Sequence, residues 1–379
     1  MRVMIICREP FGCITDTLKL CEYIRHKHEV SFLGFDSLGS KQEGTGPLVT
    51  VQGVQVDSVS ANGSPLLRSI RFVRRCIGEA GKEYDLVYIY YFLGCSLIRL
   101  LNPAKTVVVD FRTCSVTQSR VGRLIRNALM RVEASCFQWV IVISEHLREK
   151  FALFSPGAHI VPLGADRFEF PNTLRESLHL LYIGTLSGRK IEETIDAFSR
   201  FYKDFGDKLS LRYTVIGDGQ PGQRPALLEM AKKLGVLAVM EIPGYIPHDQ
   251  LKEYFGRCNV GVSYVPITAY YDHQPPTKTF EYLLAGMPVI ATDTRANRRI
   301  ISDINGVLVR DTPDAFYAGL CKLAQRRCSY DAAAIRESVA DRTWENIMVN
   351  NAIPHLENIQ QQMAAIRKLN AKGGKRLES

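Results

Sequence analysis

Short runs of Val, Ile and Leu that do not alternate with polar residues recur along the chain, and stretches with helical periodicity lie between them. In the first half the runs are Val3–Cys7, Val30–Phe35, Leu86–Tyr91, Thr106–Asp110 and Val140–Ser144. Unalternating runs of this kind fit strands covered on both faces, as in a parallel sheet. Leu18, Cys21, Tyr23 and Ile24 follow the first run with helical spacing, and Val121, Leu124, Ile125, Ala128, Leu129 and Val132 form an i, i+3, i+4 stripe further on. Strand alternating with helix predicts a doubly wound α/β domain.

The series then stops and restarts. After Leu163-Gly164 comes a polar stretch containing Pro171, which reads as a linker. Strands are next predicted at Leu178–Ile183, Leu211–Ile216, Val239–Ile242, Val260–Tyr264, Pro288–Thr292 and Val307–Val309. Helices are predicted at Glu192–Phe205, Pro225–Leu234, His248–Cys258, Lys278–Ala285 and Ala315–Gln325. A length of 379 residues suits two such domains better than one core. The expected division is 1–165, a linker at 166–177, a second domain at 178–342, C-terminal helices at 343–370 returning toward the first domain, and a disordered tail at 371–379. The two α/β domains are expected to face each other across a cleft.

Composition excludes several classes. With 46% hydrophobic and 23% charged residues, and no apolar stretch near the roughly 18 residues of a spanning helix, a soluble protein is expected. The opening MRVMIICREPFG reads as a buried strand, not a signal peptide. Ten cysteines without a CxxC pair fit neither a zinc site nor a disulfide framework, so reduced thiols in a cytosolic protein are expected. The net charge of +9 is concentrated between Leu66 and Arg131, which implies an anionic partner.

The most informative segment is PPTKTFEYLLAGMPVIATD, from Pro275 to Asp293. A loop that includes Pro276 and ends at Thr277 opens a helix, and its free N–H groups, at Thr277, Lys278 and Thr279, suit a diphosphate. Glu281, one turn in, is placed to accept hydrogen bonds from ribose hydroxyls. On helix physics alone, Glu281 serves equally well as a favourable first-turn acid with Lys278 as its solvated neighbour.

This segment resembles the donor-site signature of the retaining GT4-type glycosyltransferases (glycosyl transferases group 1) of GT-B fold, in which a Glu at the start of this helix holds the donor ribose. Tyr182–Phe198, YIGTLSGRKIEETIDAF, resembles the family's glycine turn and lysine-bearing loop, with Gly184 permitting close backbone approach and Lys190 in the place of the lysine that contacts the diphosphate. VIGDGQ with Gly217, IPGYIP with Tyr245 and Ile246, and TWENI at Thr343–Ile347 match as well. Two positions depart from the family pattern. His273 stands where a first glutamate often lies, which implies altered sugar recognition, and Thr185 stands where an arginine is common, with Arg189 a candidate to supply the charge.

The resemblance implies a hexosyltransferase moving sugar from a UDP- or GDP-type donor to a glycan or lipid-linked acceptor with retention. No cofactor or metal is expected, since Lys190, Arg189 and the helix N–H groups would stabilise the leaving diphosphate. A nucleotide-sugar epimerase of the same fold and a non-catalytic nucleotide-sugar-binding subunit are the alternatives.

In the first domain, Gly12 follows the first strand and is a candidate for acceptor binding or for a plain turn. Asp110, with a catalytic role, and Arg112, on the acceptor, sit at a strand's C-terminal edge, where a buried pair that merely fixes the loop is the rival. In LLRSIRFVRRCI the apolar residues Leu66, Ile70, Val73 and Ile77 are expected to turn inward and Arg68, Arg71 and Arg75 outward, with Arg120, Arg123 and Arg126 on a second helix. An anionic membrane surface is the partner these arginines suggest, which would put the protein at the inner face of a membrane. Nucleic acid is not expected, because no aromatic residues are interleaved with them.

Overall fold

A computed structural model describes residues 1–36, 50–115, 119–170, 177–247, 250–268, 271–273 and 277–374. The chain divides into two compact units, one of Met1–Leu163 with Trp344–Ser379 and a second of Gly164–Thr343.

The first unit runs β1 (Arg2–Ile6), α1 (Thr15–Ile24), β2 (Glu29–Phe35), β3 (Val54–Val59), α2 (Pro65–Ala80), β4 (Leu86–Tyr90), α3 (Ser96–Leu101), β5 (Val107–Phe111), α4 (Arg120–Ala134), β6 (Trp139–Val142), α5 (Glu145–Phe151) and β7 (His159–Ile160). The sheet order is β3-β2-β1-β4-β5-β6-β7, and every pair is parallel. Alternate residues of each strand serve two apolar layers. Met4 and Ile6 of β1 pack with Phe72, Ile98, Met130 and Leu147 of α2 to α5, whereas Val3 and Ile5 pack with Leu20 of α1 and with Trp344, Ile353 and Leu356 from the end of the chain. Serine side chains start three of these helices: Ser64, Ser119 and Ser144 accept from Leu67, Gly122 and Leu147 N–H groups. Sequence patterning missed β3, an edge strand whose alternating polar residues look like loop, and the two-residue β7.

The second unit runs β8 (Ser177–Ile183), α6 (Ile191–Phe205), β9 (Ser210–Ile216), α7 (Gln223–Lys233), β10 (Met240–Gly244), α8 (Leu251–Arg257), β11 (Val260–Ser263), α9 (Thr277–Leu284), β12 (Val289–Thr292), β13 (Gly306–Val309), α10 (Pro313–Arg326) and α11 (Ala332–Glu337). Its sheet is parallel in the order β10-β9-β8-β11-β12-β13. In the stretch expected as a linker, Phe168 lies 5.5 Å from the buried Phe255 ring of α8 and 6.2 Å from Phe170, so these residues pack onto the second unit. The start expected for the helix at His248 lies outside the described residues. The chain then rejoins the first unit through α12 (Trp344–Ile347), a π-helical turn at Met348–Ala352 and α13 (Ile353–Gly374).

On α13, His355 stacks on His159 with ring centroids 3.7 Å apart, and His159 shares a 2.7 Å hydrogen bond with Asn351. Burial, then the neighbouring His159, lowers the His355 imidazole from 6.5 to about 4. The unfolded chain therefore takes up a proton that the folded chain refuses, so this contribution is complete above 6.5 and is lost as pH falls toward 4. With His355 part-exposed, screening leaves about 1 kcal/mol. Urea midpoints of His355→Asn are expected to fall less than wild type between about pH 7.5 and about pH 4.5.

The ten thiols are unpaired, and Cys7, Cys21, Cys76, Cys95 and Cys258 are buried. Among the described residues no helix is long and apolar enough to cross a membrane.

Candidate active site

The strand order of the second sheet reverses between β8 and β11, which pair through Val260 with Leu180 and Gly261 with Leu181. Connections leaving the carboxyl ends of two such neighbours turn to opposite sides, and open α/β sheets bind ligands at that point. The residues after β8 carry Lys190, and those after β11 lead into α9 and Glu281. Strand pairing thus brings together two segments about ninety residues apart in the chain.

Glycine turns pave this edge. Gly184 N–H donates to the Ile216 carbonyl at 3.0 Å and Gly217 N–H to the Gly244 carbonyl at 2.8 Å, which stitches together the ends of β8, β9 and β10. Gly217 has φ 138°, and a Cβ there would stand 1.8 Å from the Gly184 carbonyl oxygen. Gly217→Ala is therefore expected to cost about 3 kcal/mol or more and to lower Tm by several degrees, read by thermal denaturation. The exposed Thr185 hydroxyl donates to the Asp218 carbonyl at 3.3 Å, and Leu186 N–H donates to the same oxygen at 2.8 Å. Beyond β10, Tyr245 is half-exposed and Ile246 partly covered.

Lys190 is the one non-glycine residue with positive φ among the described residues, at 56°. A side chain in the left-handed region costs about 1–2 kcal/mol, and such strain collects at functional positions. Its Nζ lies 3.1 Å from Glu193 and 4.0 Å from Asp311, and the Glu193 hydrogen bond raises its pKa, so the ammonium stays charged. Glu193 in turn accepts a 2.5 Å hydrogen bond from the buried Tyr264 hydroxyl, and Asp311 accepts from Ile267 N–H at 3.0 Å. The Arg189 guanidinium sits over the Tyr271 ring, 4.4 Å from its centroid, linking the loops that follow β8 and β11.

Glu281 is buried and accepts a 2.6 Å hydrogen bond from Lys278, so Lys278 is its ion-pair partner rather than a solvated neighbour. The next residue ties the helix to the sheet: the Tyr282 hydroxyl accepts from Ile183 N–H at 2.8 Å. Thr277 opens α9 partly exposed. The Thr279 side chain is fully buried 2.7 Å from the Ser263 hydroxyl, which leaves its backbone to face the site. His273 closes a short 3-10 turn, 3.9 Å from Asp272, which is fixed by Arg295 through its N–H at 2.9 Å and its guanidinium at 3.3 Å. Pro276 lies outside the described residues. Sequence reasoning missed Glu193, Tyr264, Tyr271 and Asp311. The i, i+3 spacing of Lys190 and Glu193 was the one available signal, because the others arrive from distant strands.

The first-unit candidates divide. Gly12 has φ 88°, a turn that glycine suits. Asp110 is wholly buried, bonded to the Tyr88 hydroxyl and to Arg112 Nε at 2.6 Å, while Arg112 also donates to the Val161 carbonyl at 2.8 Å. Burial pushes the Asp110 carboxyl up despite Arg112. This is the geometry of the rival reading, a buried pair that fixes the loop.

Among the described residues no cluster of His, Cys, Asp and Glu has the makings of a metal site.

Residues 177–326 match the family model described as glycosyl transferases group 1. The matched segment lies wholly within the second unit. The GT-B fold of the chain, two Rossmann-like α/β units, is shared with solved structures despite low identity. HepE of Anabaena in complex with UDP is 14% identical with a TM-score of 0.68, over 94% of this chain and 100% of that one. Sucrose-phosphate synthase of Thermosynechococcus elongatus is 16% identical with a TM-score of 0.69, over 96% and 100%. The lipopolysaccharide outer core galactosyltransferase WaaB is 14% identical with a TM-score of 0.66, over 93% and 99%. No curated protein sequence matches the chain. Within the matched segment fall Gly184 and Lys190 after β8, Gly217 after β9 and Glu281 in α9.

Proposed function

We propose that the protein is a glycosyltransferase that takes a sugar from a nucleoside diphosphate donor bound at the β8/β11 edge and passes it to a glycan or lipid-linked acceptor with retention. The observation that carries this reading is the placement of a charged lysine and a buried carboxylate, each already oriented by a partner, on the two strand-to-helix connections that leave the strand reversal, the lysine at the start of α6 and the carboxylate in α9. Glu281, held by Lys278 through one oxygen, keeps its other oxygen for vicinal ribose hydroxyls. Lys190, with Arg189 beside it and the amide groups opening α9, faces the charge that builds on the diphosphate as the anomeric bond breaks. Fixed cations and helix N–H groups supply this stabilisation without a metal ion. Tyr245 offers a half-exposed ring to the base. HepE has been crystallised with UDP-glucose, which supports a uridine nucleotide as the first donor to try.

Incubation with a panel of UDP- and GDP-sugars, with release of nucleoside diphosphate as readout, tests this. One donor is expected to be hydrolysed slowly, equally fast with and without chelator. Tight binding of a donor without turnover, even with membrane extract supplying acceptor, would instead point to a non-catalytic subunit.

A further inference from the structure

Of the helices that cover one side of the first sheet, α4 is turned the opposite way from the sequence expectation and α2 partly so, since Val73 and Ile77 pack on the core as expected. On α2 the residues facing the sheet are Phe72, Cys76, Glu79 and Ala80, while Leu66, Leu67 and Ile70 are exposed. On α4 the inward residues are Met130, Glu133 and Ala134, and the long aliphatic stripe faces solvent, with Leu124 71% and Val121 66% exposed. Between them, α3 adds exposed Leu97, Leu100 and Leu101. The three helices contribute to one apolar layer on one side of the sheet, α3 packs against α2, and Glu133 of α4 accepts from Gly94 N–H and the Ser96 hydroxyl at the start of α3. Exposed aliphatic residues are ordinary when scattered, but a stripe repeated on three neighbouring helices marks a docking surface.

Charge identifies the occupant. These helices carry nine arginines and two glutamates, and both glutamates are buried. Arg68, Arg71 and Arg75, expected to face a membrane, each have a partner in the protein, although Arg71 and Arg75 stay exposed: Arg68 lies over the Phe35 ring, Arg71 donates to the Ser60 and Asn62 carbonyls, and Arg75 pairs with Asp57 and Glu79. Arg120, Arg123 and Arg126 of α4 have no hydrogen-bond or ion-pair partner among the described residues. An aliphatic face fringed by unpaired arginines and lacking exposed acids repels a second copy of itself and suits anionic lipid. We propose that α2, α3 and α4 form a membrane-docking face, with the leucine-rich stripes entering the interface of an anionic bilayer and the α4 arginines reaching its phosphates. The apolar stripes, not the arginines of α2, carry the attachment.

Cosedimentation with phosphatidylcholine vesicles and with mixed phosphatidylcholine–phosphatidylglycerol vesicles tests this without any donor, so its failure leaves the sugar-transfer reading untouched. The protein is expected to sediment with the mixed vesicles and to remain partly bound in about 1 M sodium chloride, where the screening length is about 3 Å. The double substitution Leu124→Glu with Ile125→Glu, at exposed positions and checked for an unchanged melting curve, is expected to weaken partitioning by about tenfold or more. Undiminished binding of that variant, or binding abolished entirely by salt, would overturn the proposal. So would lipid-free self-association that the variant removes, which would assign the face to a second copy.

Discussion

Lys190→Ala is expected to lower kcat for sugar transfer by about 10²–10³-fold with a smaller change in the donor KM. The ammonium is positioned before the donor arrives, with Glu193 and Asp311 as its partners and its charge secured by the Glu193 hydrogen bond. A cation fixed in advance gains most when negative charge grows on the leaving oxygen, so its loss appears chiefly in the chemical step. Alanine adopts the same left-handed conformation at comparable cost, so a melting curve close to wild type accompanies the loss. Steady-state kinetics on the donor that the nucleotide-sugar panel selects provide the measurement, and an unchanged kcat would remove Lys190 from the reacting centre.

For Glu281→Ala the expected pattern is the reverse: donor affinity falls about 10–100-fold, the worth of hydrogen bonds to a charged acceptor, while kcat for saturated enzyme changes less. Glu281 is buried, and its removal leaves the Lys278 ammonium, itself largely covered, without its carboxylate. Combining Glu281→Ala with Lys278→Met separates the two effects, since stability should recover and nucleotide affinity should not. Calorimetric titration with UDP reads this directly. Equal affinity in wild type and the double variant would place the ribose elsewhere.

The parts of this protein legible in sequence are those encoded locally. Unalternating Val/Ile runs marked every interior strand of both sheets, because a strand covered on both faces has no polar side to show. Glu281 was singled out from a helix start written in adjacent residues, and Lys190 from the resemblance of its loop to the family's. Edge strand β3 was lost for the same reason in reverse, since its exposed positions are polar.

Which way α2 and α4 turn lay beyond local pattern. Periodicity reveals that an apolar stripe exists, and burial is assumed because most helices bury theirs. Here the sheet accepts a face built of Phe72, Cys76 and Ala80, or Met130 and Ala134, together with a glutamate that no stripe analysis would place inside. Glu133 is satisfied there by the Tyr91 hydroxyl at 2.8 Å and by Gly94 and Ser96, and Glu79 by Arg75 and Lys82. The partners of Glu133 come from a different strand-to-helix connection, about forty residues away. Sequence by itself determined two parallel α/β units and pointed to the local carriers of the proposed donor site. The tertiary structure alone decided what surrounds Lys190 and which helix faces meet solvent, because both depend on partners brought together by strand pairing rather than by adjacency in the chain.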